Sequence, residues 1–67
     1  MIRIILKEFR ENAGMTQQQL AFNSDLALST IAGIEQGNIT SPGAKTLSKL
    51  ARALDIDIDK LIQNIQQ

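Results

Sequence analysis

Sixty-seven residues, 43% of them hydrophobic, with two Phe and neither Trp nor Tyr, restrict the chain to one small domain, 1–67, whose core must come from Leu, Ile and Ala on helices. The absence of Cys and His excludes a disulfide framework and removes the usual ligands of structural zinc, so neither a metal site nor a cofactor is expected, and the composition fits the cytoplasm. Seven Lys or Arg balance seven Asp or Glu, yet residues 1 to 54 hold six cations against four acids and residues 55 to 67 one against three, which predicts an acidic end facing away from any polyanionic partner. No apolar run approaches the roughly 20 residues that cross a bilayer, so no membrane is expected as a partner.

Taken in chain order, Ile2, Ile5, Leu6, Phe9 and Ala13 recur at the spacing of one helical face and predict a first helix over residues 2 to 13, ended by Gly14. Thr16 followed by Gln19 is a capping box, so a second helix runs over about residues 17 to 23. Ser24-Asp25-Leu26 interrupts the pattern, and Asp tolerates the left-handed backbone of a tight turn. A third helix follows over residues 28 to 36, with Ile31 and Ile34 as its inward edge and Gly37 at its C-cap. Residues 37 to 43 (Gly-Asn-Ile-Thr-Ser-Pro-Gly) are a loop. Leu47, Leu50, Ala51 and Leu54 mark a fourth amphipathic helix over residues 44 to 54, and a fifth starts from Asp57 as N-cap with Ile58, Leu61, Ile62 and Ile65 on one stripe. The fold class is therefore all-α, a compact five-helix bundle.

Two short helices joined by a three- or four-residue turn are the unit that presents its second helix to a major groove. Gly14-Met15-Thr16-Gln17-Gln18-Gln19-Leu20-Ala21, then Ser29-Thr30-Ile31, then Ile34-Glu35-Gln36-Gly37 resembles the helix-turn-helix signature of the phage Cro and repressor (XRE) family, in register without a gap. Asn38 to Pro42, with Leu47, Leu50 to Leu54 and Asp59-Lys60-Leu61, is similar to that family's fourth and fifth helices after a slightly lengthened loop. The resemblance spans nearly the whole chain and implies a lambda repressor-like fold that binds double-stranded DNA as a transcriptional regulator, a repressor in the first instance.

The resemblance also implies roles residue by residue. Arg10 and Glu35 pair where the first helix crosses the third, and Arg10 lies near a phosphate. Thr16, Gln17 and Gln18 anchor the start of the second helix to backbone phosphate, as helix N-termini favour anions. Ala27, Leu28, Ser29, Ala32, Gly33 and Gln36 form the outward, base-reading face of the third helix, and Asn38, Thr40 and Lys45 add contacts from the loop and the fourth helix. The chain departs from the family pattern in having no Lys or Arg from Leu26 to Gln36, which removes the commonest contact to guanine and leaves Ser29 and Gln36 for hydrogen bonds with Leu28 or Ala32 for a thymine methyl. Ala27 stands where a Ser or Thr N-cap is usual, and Asp25 where a turn glycine is. Gly33 either permits close approach of DNA or weakens the helix.

Two basic stripes are legible, Arg3, Lys7, Arg10 and Lys45, Lys49, Arg52, each at helical spacing. With no His, no Cys, no phosphate-binding glycine loop and no paired carboxylates, catalysis on a small-molecule substrate is not expected. Asp55, Asp57 and Asp59 alternate as in a calcium loop, but the loop glycine and the closing Glu are missing. Ile58, Leu61, Ile62 and Ile65 exceed the needs of so small a core and predict a homodimer that reads a pseudo-palindromic operator. An alternative is a protein-interaction module, such as an antitoxin or adaptor. The uncharged recognition face of the third helix and Phe22, at a position usually polar in the family, favour it.

Overall fold

The computed structural model describes the backbone of residues 2–64 and the side chains of residues 5–62. In chain order the elements are β1 (Ile2–Ile4), α1 (Lys7–Asn12), α2 (Gln17–Ser24), α3 (Leu28–Gln36), α4 (Ala44–Leu54), α5 (Ile58–Leu61) and β2 (Ile62–Asn64). Among the described residues five helices thus carry the fold, and a two-stranded antiparallel sheet joins β1 to β2. Leu20 of α2, Ile31 of α3, Leu50 of α4 and Leu61 of α5 have no exposed surface. These four and the nearly buried Leu6 place the core where α2 lies against α3 and α4. Aliphatic side chains from every helix but α1 meet there, as the lack of large aromatics requires.

The helix ends follow local chemistry. At the start of α2 the Gln19 amide donates to Thr16 Oγ1 at 3.1 Å, and the Thr16 amide donates to Gln19 Oε1 at 2.8 Å. The capping box therefore satisfies two backbone donors reciprocally. The turn into α3 passes through Asp25 at φ 58°, and α3 ends at Gly37 with φ 84°. Both adopt the left-handed backbone, the first through Asx tolerance and the second at no steric cost. Ala27 at the head of α3 has no side-chain cap, so its carbonyl alone accepts the amides of Thr30 and Ile31 at 3.0 and 3.3 Å.

Two expectations fail at the ends of the chain. The first helix begins at Lys7 and not at residue 2, because Ile2–Ile4 run extended and pair with Ile62–Asn64 in the register Ile2↔Asn64, Arg3↔Gln63, Ile4↔Ile62. Three β-branched Ile in four residues favour a pleated backbone, and no capping residue precedes them to start a helix. The Ile5 amide extends the pairing by donating to the Leu61 carbonyl at 2.9 Å. Arg3 therefore does not share a helical face with Lys7 and Arg10.

At the other end α5 stops after Leu61, and Ile62 is already extended at φ −105°, ψ 122°. The predicted stripe of Ile58, Leu61, Ile62 and Ile65 is broken. Leu61 is wholly buried in the chain's own core, Ile58 and Ile62 are half-buried against it, and Ile65 lies outside the described residues. Asp57 occupies the N-cap position of α5 without a side-chain cap. No helix among the described residues is long and apolar enough to cross a membrane.

Candidate nucleic-acid interface

The site is built around a buried carboxylate. Glu35 Oε2 accepts Arg10 Nε at 2.7 Å, and Glu35 Oε1 accepts both Arg10 Nη2 at 3.1 Å and Gln17 Nε2 at 2.9 Å. Arg10 Nη1 donates further to the Met15 carbonyl at 2.9 Å. The two charged side chains retain only 10% and 5% of their surface, so the pair is largely removed from water. Burial by itself raises the Glu35 carboxyl, but the hydrogen bonds from Arg10 and Gln17 outweigh it and hold the group below its ordinary value. The hydrogen bond to Glu35 raises Arg10 in turn, against the opposing effect of burial. The Arg10–Glu35 pair thus ties α1, the segment before α2, the first residue of α2 and the C-terminal turn of α3. A fork-to-fork pair also sets the rotation of α3, because two parallel bonds tolerate little twist.

This geometry revises two roles. Arg10 faces inward with three donors engaged, so it positions α3 and does not present an exposed cation to a phosphate. Gln17 spends its amide nitrogen on Glu35 and is half-buried, which leaves Thr16 and Gln18 as the exposed side chains at the start of α2. The link from Gln17 to Glu35 escaped sequence reasoning, since a polar residue just inside a capped helix reads equally well as solvent-facing.

Along α3 the inward edge is Ile31 and Ile34, at 0% and 5% exposure. Ser29 and Gln36 are exposed on the opposite side, Ala27 and Leu28 are exposed at the head of the helix, and Ala32 is half-buried. Gly33 does not belong to that outward set. It is buried, its carbonyl accepts the amides of Asn38 and Ile39 at 2.9 and 3.0 Å, and a Cβ there would stand 2.8 Å from Ile39 Cδ1 and 3.0 Å from Cγ1. The glycine forms a notch through which the loop crosses α3. Ile39 was missed as a positioning residue, although an apolar side chain in an otherwise polar and glycine-rich loop is the signal that could have found it. Past the notch Asn38 Nδ2 donates to Gln36 Oε1 at 3.2 Å, which brings those two predicted residues together. Thr40 is exposed beside them in sequence.

Lys45, Lys49 and Arg52 line a groove of α4 that faces Asn23, Ser24 and Asp25. Lys49 Nζ stands 4.0 Å from Asp25 Oδ2, with the two side chains 39% and 97% exposed. A pair so exposed contributes little. Phe22, on α2, is 87% exposed.

Residues 6–61 match the helix-turn-helix family model. The chain belongs to the XRE-type helix-turn-helix family. In its terms α2 and α3 are the helix-turn-helix pair and α3 is the recognition helix. Among solved structures, the chain is similar to SinR, described as the master regulator for biofilm formation, in complex with DNA, at 28% identity and a TM-score of 0.81 over 84% of this chain and 89% of that one. It is similar to the restriction-modification controller protein C.AhdI from Aeromonas hydrophila at 39% identity and a TM-score of 0.79, over 84% and 83% of the two chains. A SinR protein/SinI protein complex matches at 28% identity and a TM-score of 0.80, over 84% of this chain and 54% of that one. No curated protein matches the chain in sequence.

Proposed function

We propose that this chain is a sequence-specific DNA-binding transcriptional regulator that places α3 in the major groove of duplex DNA. The observation that carries the reading is the two-sidedness of α3: Ile31, Ile34 and Glu35 fasten one side to the body while Ser29 and Gln36 stand clear on the other and Leu28 is exposed at the first turn. A helix clamped on one side and open along the other is what groove entry requires. Thr16, Gln18 and the first backbone amides of α2 supply phosphate contacts beside it, and Lys45 adds a cation at the head of α4. The described DNA complex of SinR and the controller role of C.AhdI support carrying this activity to the present chain.

The finer reading is a cytoplasmic, non-enzymatic repressor in which residues 1–67 form one domain. It acts as a two-fold dimer on a pseudo-palindrome, with the exposed parts of Ile58 and Ile62 at the dimer contact. Titration of salt against binding to a selected and to a random duplex tests the main reading. Affinity that falls steeply with salt and is higher for the selected duplex is the expected result, and no binding at low salt refutes it. Sedimentation equilibrium of the free protein checks the dimer. One observation favours the rival class: Phe22, on the outer side of α2, is a surface suited to a protein partner. Phe22→Ser should leave duplex affinity unchanged under either reading and would abolish capture of such a partner only under the second.

A further inference from the structure

Resting on the reading of α3 as the groove-entering helix, we infer that the duplex this chain selects is A·T and not G·C at the base pairs beneath α3, with Leu28 reading a thymine methyl group. A G·C pair would need side chains that α3 does not offer. Guanine offers two acceptors in the major groove, for which Arg and Lys are the matching side chains. None occurs between Leu26 and Ala44, and Arg10, which does reach α3, is committed to Glu35 and Met15. Cytosine offers an amino donor, for which Asp and Glu are the matching side chains. Glu35 is the acid of α3, and both of its oxygens accept from within the protein on a side chain 5% exposed. Neither base of the pair meets its usual partner.

The groups an A·T pair would need are present. The Gln36 side chain carries the acceptor and donor that suit adenine N6 and N7. Asn38 restrains that amide through its oxygen and leaves the oxygen's second lone pair and the Nε2 donors for a base. Leu28 opens α3 and is 41% exposed, at the end of a recognition helix that reaches base edges. The C5 methyl of thymine is the apolar group in the major groove that such a side chain can cover. Ala32, one turn further on, continues the apolar strip.

The full chain is used to select duplexes from a random pool. Parallel selections with Ser29→Ala and Gln36→Ala mark the base pairs under α3 as those whose preference relaxes. Each thymine there is then replaced by deoxyuridine, which removes the methyl and keeps every hydrogen-bonding group, and affinity is read by anisotropy at fixed low salt. One replacement is expected to weaken binding about fourfold, the effect of leaving one methyl unburied. Leu28→Ala, confirmed folded by its far-UV melt, is expected to bind the parent duplex about fourfold or more weakly and to be indifferent to that replacement. A selected half-site with G·C under α3, no thymine whose methyl matters, or an equal deoxyuridine loss in Leu28→Ala overturns the inference and leaves DNA binding standing. A pool from which nothing is retained overturns both.

Discussion

Gly33→Ala should destabilise the protein in one background and stabilise it in another. An added Cβ would lie 2.8 Å from Ile39 Cδ1 and 3.0 Å from Cγ1, well inside the roughly 3.5–4.0 Å of favourable carbon contact. The backbone of Ile39 is held by its amide hydrogen bond to the Gly33 carbonyl and its side chain is half-buried against the core, so the clash is relieved only by turning that side chain out of its packed rotamer. Overpacking of this kind costs about 1–3 kcal/mol, against a gain of about 1 kcal/mol in helix propensity. The net expectation is a loss of about 1 kcal/mol, a fall of about 4–8 °C in melting temperature for a domain of this size. In Ile39→Ala both close atoms are gone and only the Cβ, 3.9 Å away, remains. There Gly33→Ala should gain about 1 kcal/mol from the same propensity difference, for a coupling of about 2 kcal/mol between the sites. Urea unfolding followed by far-UV circular dichroism reads all four proteins, and the chain has no Trp or Tyr to follow instead. The same change in both backgrounds would refute the notch, since Ile39 would then have rotated aside without cost.

Removal of one partner from the clamp should be more damaging than removal of both. Arg10→Met leaves Glu35 buried and uncompensated and is expected to cost about 3–5 kcal/mol, whereas Arg10→Met with Glu35→Leu should recover much of that; thermal melts of the two variants decide it. Acid should act through the same carboxylate. Because Glu35 is held below its unfolded value, its contribution is complete above about pH 4.3 and fades as pH falls through the folded value. Urea midpoints from pH 7 to pH 2 should therefore fall less steeply in Glu35→Gln than in the parent. Thr16→Ala breaks the capping box and should cost about 1 kcal/mol, measurable in the same unfolding assay and partly regained in Thr16→Ser.

How much of this was legible in the sequence depends on whether the cause was local. The bounds of α3 and α4 were readable because their apolar stripes, the αL glycine at position 37 and the loop composition of residues 37 to 43 all act within a few residues of one another. The capping box and the left-handed Asp25 are local in the same sense. The ends of the chain were not readable. The Ile-rich start satisfies a helical spacing and a pleated one alike, and what decides between them is a strand about sixty residues away in sequence, whose pairing leaves no mark on either segment alone. Gly33 failed for a related reason. Its place on the helical wheel is outward, and only the return of the loop through Ile39 makes it interior.

The same distinction separates how α3 is aimed from what it reads. Aim is set by Glu35 through partners 25 and 18 residues away in sequence, inside a region that salt screens weakly. Reading is left to Leu28, Ser29 and Gln36, which make no contact with that clamp among the hydrogen bonds of the described residues. A change at the clamp should therefore move stability and affinity together, because the helix loses its angle as the fold loses its anchor. Changes at Leu28 or Ser29 should alter preference among duplexes while the melting temperature stays within a degree or two. If Leu28→Ala lowered stability as far as Arg10→Met does, the outward edge would be part of the core after all, and α3 would have no side left to offer a groove.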